Sequence, residues 1–147
     1  MLSIKSNLKV GSILTDTGSA KKEVNKIVNN LGLKNISWIA SHPIAGTEKS
    51  GPEAGFASLF EGRYWLLTPL ENADREAVFK MRRLCEGIGA MVEEMDINYH
   101  DKVLAITSHL PHLIAYTIVG TADDLEDQTQ ADAVSYTHLT LPTNREV

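Results

Sequence analysis

Between residues 12 and 95 the apolar positions alternate between short continuous runs and stretches of helical spacing. Ser12 to Thr15 is a run of strand type, and beyond Gly18 and Ser19 the positions Val24, Ile27, Val28 and Leu31 recur at helical intervals. Ser19 fits the N-cap of that helix and Gly32 its stop. Ile36 to Ala40 reads as the next strand, which completes a β-α-β unit with an expected right-handed crossover and a parallel sheet. Residues 46–62 contain four glycines and Pro52, a composition that predicts an irregular excursion over the end of the sheet. Tyr64 to Thr68 then predicts a strand, Asp74 to Glu86 a helix buried through Val78, Met81 and Cys85, and Ala90 to Met95 a last strand. The alternation implies an α/β layer architecture.

From Ile97 the pattern changes to one helical stretch reaching about Ala122, with Val103, Leu104, Ile106, Leu110 and Leu113 as its apolar surface. A domain boundary is therefore expected near Asp96, with residues 1–95 forming part of a Rossmann-like domain and residues 96–133 beginning a helical domain. Asp101, Ala105, Ser108 and His112 follow steps of four, three and four, so polar groups share one stripe on an apolar helix. Pro111 lies inside the same run, where its missing N–H and its ring should kink the helix beside His109 and His112. Residues 134–147 break the pattern abruptly and read as a non-native tail.

The composition, 43% hydrophobic and 22% charged over 147 residues, is that of an ordinary globular protein. A net charge of −5 supplies no basic stripe for nucleic acid. No uninterrupted run approaches the ~18 apolar residues of a membrane span, and the first residues lack the pattern of a signal peptide. Cys85 stands alone, so an intrachain disulfide is excluded and a reducing cytoplasm is the expected compartment; its helical spacing marks it as a small buried hydrophobe.

Two strand ends carry polar groups: Asp16-Thr17-Gly18-Ser19 after the first, and Ser41-His42-Pro43 after the second. In an open α/β sheet, loops at the carboxyl ends of strands hold ligands. A neutral His42 can accept a proton from a substrate hydroxyl, and Ser19 across the cleft can orient it, as alcohol oxidation by hydride transfer requires. Gly18 permits close backbone approach there.

Thr15 to Lys21, the string His42-Pro43-Ile44-Ala45-Gly46-Thr47-Glu48-Lys49-Ser50-Gly51, and His100-Asp101-Lys102 followed by Ser108-His109-Leu110-Pro111-His112 together resemble the prephenate dehydrogenase family, which includes arogenate and cyclohexadienyl dehydrogenases. The resemblance covers about residues 1–127. It implies oxidative decarboxylation of prephenate to 4-hydroxyphenylpyruvate, or the arogenate counterpart, with NAD or NADP as hydride acceptor, in tyrosine biosynthesis. It also implies a homodimer. His42 would be the base, Ser19 would orient it and touch the nicotinamide, and Thr15, Asp16 and Gly18 would lie on the cofactor side. Ser108, His109 and His112 would hold the substrate, with Thr47 and Glu48 at the pocket entrance and Asp101 in a polar network closing it.

The sequence departs from the family in having no GxGxxG-type turn for the pyrophosphate, so the chain reads as starting inside the Rossmann domain and as inactive by itself. Two other classes stay open: a non-catalytic α/β module that pairs with another chain through a free sheet edge and the apolar helix, and a zinc hydrolase built on His42, His109 and His112. For the latter, no Cys pair or HExxH motif accompanies the histidines, and no metal is expected.

Overall fold

The computed structural model describes residues 7–46 and 51–129, with side chains described as far as residue 122. The chain runs β1 (Ile13–Thr15), α1 (Lys22–Asn30), β2 (Ser37–Ile39), β3 (Ser41–Pro43), a 3-10 turn at Pro52–Ala54, β4 (Tyr64–Leu67), α2 (Arg75–Gly87), β5 (Met91–Glu94), α3 (Ile97–Leu104), a π turn at Ala105–His109, and α4 (Leu110–Thr129).

β1 and β2 pair in parallel, Leu14 opposite Trp38, as the β-α-β pattern implies. The run that begins at Ser37 does not end at Ala40. It changes partner there: β2 lies along β1, whereas β3 pairs antiparallel with β4, His42 facing Leu66. The Ala40 carbonyl accepts the Thr68 N–H at 2.9 Å, which carries the ladder across the change. β4 then pairs in parallel with β5. The sheet is thus mixed where a parallel one was expected. Among the described residues of the 44–63 connection the one helical element is the 3-10 turn at Pro52–Ala54, and the chain returns to lay β4 antiparallel against β3. His42 accordingly sits in a strand, not in a loop.

α2 covers this sheet because Ala77, Val78, Met81 and Cys85 fall on one face and pack on Ile39, Trp65, Leu67 and Val92. Each buried aliphatic side chain of this kind contributes about 1.5–3 kcal/mol. The Asp74 side chain accepts the Glu76 N–H at 3.0 Å and starts the helix. Cys85 is buried as its spacing indicated, and desolvation pushes its thiol up to about 11.

Two sequence readings need correction. Ser19 does not cap α1, whose first residues instead donate to a carboxylate from α3. The helix beyond Ile97 is also more apolar than its uninterrupted runs suggest: Ile97–Ala122 spans 26 residues with a mean hydropathy of 1.4 in its most apolar window, enough by length and composition to cross a membrane. Its start is bound to the α/β domain through buried His100 and Leu104, whereas Ile106, Leu110, Leu113, Ile114, Ile118 and Val119 are exposed.

Gly89 joins α2 to β5 at φ +88°, and a Cβ there would stand 2.8 Å from Glu61 Cγ. Gly87, two residues earlier at the end of α2, has open space around it. Gly89→Ala should therefore lower stability by about 1–3 kcal/mol, and Gly87→Ala should be neutral or raise it by up to about 1 kcal/mol. Urea midpoints of the two variants with equal and same-sign shifts would contradict this assignment of the turn.

Candidate active site

The carboxyl ends of β1 and β2 are stitched together by one buried network. Asp16, immediately after β1, accepts the Ser41 N–H on Oδ1 at 3.2 Å and the Gly18 N–H on Oδ2 at 3.2 Å, and forms an ion pair with Lys21. The Lys21 side chain is fully buried, and its Nζ also donates to the Ser41 carbonyl at 2.6 Å. Ser41 Oγ donates to the Asp16 carbonyl at 2.7 Å, accepts from Trp65 Nε1 at 3.0 Å and meets Thr15 Oγ1 at 3.0 Å. A buried lysine without such partners would be costly. With them, it fixes where β3 begins, and hence where His42 stands.

His42 is half-buried beside this network. Its Nδ1 lies 3.1 Å from Nε2 of His100, which is fully buried, and His100 Nδ1 lies 2.8 Å from Asp101 Oδ1. The rings of His42 and His100 meet edge to face, 5.2 Å between centroids. Asp101 also accepts the Lys21 N–H on Oδ1 and the Lys22 N–H on Oδ2, both at 2.9 Å, and so caps α1 from α3. Burial by itself would raise the Asp101 carboxyl, but the two helix amides and His100 hold it below the usual carboxylate range. Burial, then the neighbouring His100 ring and the Lys21 charge, lowers His42 to about 4 against the partial offset of Asp16; His109 adds a smaller push in the same direction. His42 is therefore neutral at physiological pH.

The other expected site residues divide. Thr15 and Asp16 commit their side chains to protein partners, while Thr17, Gly18 and Ser19 form the exposed part of the same turn. Among the described residues no hydrogen bond joins Ser19 to His42; His100 occupies that role. Ser108 is half-buried and its carbonyl faces His112 Nδ1 at 2.6 Å, so these two pair with each other along the helix. His109 and His112 are exposed, and His109 adds to the lowering of His42. Asp101, its side chain 23% exposed, accepts from the two α1 amides and faces His100. Thr47 and Glu48 lie outside the described residues, as does the tail from residue 134. No three His, Cys, Asp or Glu side chains among the described residues are placed to share a metal ion. His100 and Lys21 belong to motifs visible in the sequence, but only their complete burial reveals their roles. The available signal was a histidine next to the one acidic residue on the domain-facing side of α3.

A family model described as "Prephenate dehydrogenase, nucleotide-binding domain" matches residues 2–94. The chain belongs to the prephenate dehydrogenase family. A second model, "Prephenate dehydrogenase, dimerization domain", matches residues 96–139 and so covers the apolar helix, which favours packing between protein helices over a membrane span. The cyclohexadienyl dehydrogenase of Zymomonas mobilis is 40% identical over 129 residues, 88% of this chain and 44% of that protein. Among solved structures, prephenate dehydrogenase from Aquifex aeolicus in complex with hydroxyphenyl propionate and NAD+ superposes with a TM-score of 0.72 at 39% identity, over 80% of this chain and 41% of that one. Synechocystis arogenate dehydrogenase gives 0.70 at 27% identity, over 81% and 42%. The chain thus spans less than half the length of these relatives.

The depressed His42 has a consequence for stability. Unfolded, the imidazole titrates near 6.5; folded, near 4. Between these values the unfolded chain binds a proton that the folded chain refuses, so stability is complete above pH 6.5 and falls as pH drops toward 4. His42→Gln should flatten urea-midpoint profiles across that window, leaving the further loss at lower pH that Asp101 causes. Superimposable profiles for parent and variant would refute the buried, neutral state of His42.

Proposed function

We propose that this chain carries the catalytic centre of a nicotinamide-dependent dehydrogenase acting on prephenate or arogenate. The carrying observation is a neutral His42 at the carboxyl edge of the sheet, held at Nδ1 by His100 and leaving Nε2 for a substrate. NAD or NADP, when bound, supplies the hydride acceptor. The exposed Gly18–Ser19 segment fits its nicotinamide end, because it follows a parallel strand, is tied through Asp16 to Ser41, the residue before His42, and presents the Ser19 hydroxyl to solvent. The complex of the Aquifex relative with NAD+ favours NAD.

In this reading His42 Nε2 takes the proton of the 4-hydroxyl as hydride leaves C4. The ring carboxylate departs as carbon dioxide, its bonding electrons complete the aromatic ring, and His42 returns the proton to the phenolate oxygen. The neutral imidazole is essential, since a protonated one has no lone pair to offer. His109, Ser108 and His112 stand on the helix that borders the opening, where the substrate's acidic groups would lie, with Thr47 and Glu48 at its entrance. The exposed apolar side chains from Ile106 to Val119 serve a second protomer, so that the working protein is a cytoplasmic homodimer.

A chimera tests this directly. Residues 7–122, placed in the Zymomonas cyclohexadienyl dehydrogenase in exchange for the matching stretch, should oxidise prephenate or arogenate. His42→Asn in that chimera should reduce kcat about 10²–10⁴-fold with nucleotide binding preserved. Unchanged turnover would remove His42 from catalysis. In the 147-residue chain, hydroxyphenyl propionate should shift the His42 ring resonances; a shift confined to other residues would move the substrate site elsewhere.

A further inference from the structure

Two histidines and a carboxylate form a line that ends at the proposed base. Asp101 accepts backbone N–H groups on both oxygens, from Lys21 at Oδ1 and Lys22 at Oδ2, each at 2.9 Å. Neither oxygen therefore needs a proton of its own, and Asp101 faces His100 Nδ1 as an acceptor at 2.8 Å. His100 must then carry its proton on Nδ1. In a fully buried neutral imidazole, Nε2 is left as the acceptor. The partner of that nitrogen, 3.1 Å away, is His42 Nδ1, which must donate.

We propose that His100, set by Asp101, is a positioning residue that locks His42 in its Nδ1–H tautomer and so keeps the Nε2 lone pair turned toward the substrate hydroxyl. This deepens the proposed function and rests on it for its catalytic meaning. An imidazole without such a partner is free to carry its proton on either nitrogen, and the Nε2–H form has no lone pair at the reacting position. The carboxylate has a second duty, capping α1, the helix that follows the Asp16–Ser19 turn. One side chain thus ties the cofactor side of the cleft to the orientation of the base.

Long-range proton–nitrogen NMR on the 147-residue chain, labelled with nitrogen-15 histidine, reads the tautomer without reference to activity. The expected result at neutral pH is a protonated Nδ1 and an unprotonated Nε2 at both His42 and His100. His100→Leu should release His42 into a mixture of tautomers, while His100→Gln, whose side-chain oxygen can accept in place of Nε2, should restore the Nδ1–H form. An Nε2–H tautomer at His42 in the parent chain, or an imidazolium at His100 that reverses the bond, would overturn the proposal before any variant is made. So would a His42 signal indifferent to His100→Leu in a protein that remains folded. In the chimera, kcat should fall with His100→Leu and recover with His100→Gln. A chimera in which His42→Asn is harmless, yet whose tautomer is as expected, would sink the catalytic reading and leave the positioning intact.

Discussion

The Asp101 carboxylate is the point on which the arrangement turns. It takes two N–H groups at the start of α1 and faces a buried histidine from its own helix. Remove it, and the first turn of α1 loses its acceptor, since Lys21 stands in the capping position with no side-chain cap of its own. His100 would at the same time be a fully buried imidazole with one nitrogen unpaired, a costly state. The docking of α3 onto the α/β domain, the start of α1 and the orientation of His42 are therefore one problem with one solution.

The Asp16–Lys21 pair does a different job. Replacing a buried ion pair with apolar side chains often leaves stability unchanged or improved, so stability alone does not account for it. What an apolar pair could not do is satisfy the Ser41 carbonyl and N–H at the point where one strand leaves β1 and joins β4. That change of partner is abrupt, and the backbone groups at Ser41 have no ladder partner on the β1 side once the strand diverges. A cation and a carboxylate that reach both groups make the divergence tolerable. The same cation, held close to His42, helps to keep that imidazole neutral.

Much of this was legible in the sequence, and what escaped has a common physical character. Local periodicity identified α1, α2 and the strands because burial of one face dictates it, as at Val78, Met81 and Cys85. The motif around His42 drew attention to that residue, and the structure seats it within β3, next to the Asp16–Lys21–Ser41 network. Pairwise contacts at long sequence separation were not legible: Asp101 capping a helix 79 and 80 residues earlier has no signature in either segment. Ser19 seemed the natural cap because it precedes the helix, and spacing gives no means of knowing that a distant carboxylate has taken the position. The antiparallel β3 was hidden for a similar reason. Ser37 to Pro43 has one strand-like pattern, and only the path of the following loop decides which neighbour its second half meets.

The helix that begins with His100 and Asp101 shows what a local defect can do to the faces of a helix. Pro111 has no N–H, and its ring would press on the carbonyl four residues earlier, at Thr107. The chain answers with the π turn at Ala105–His109, which opens the spiral just before the proline. One extra residue in the turn rotates everything beyond it by about 100° relative to a regular helix. The stripe that spacing draws through Asp101, Ala105, Ser108 and His112 is therefore broken after Ala105, and the place expected for Ser108 passes to His109. That shift turns His109 toward the face from which it acts on His42. It also explains how α4 departs with its apolar side chains facing away from the α/β domain, although α3 enters with His100 and Leu104 buried against it. A regular helix would hold one face toward the α/β domain along its whole length; with the π turn, α3 buries His100 and Leu104 there while the apolar side chains of α4 stay exposed.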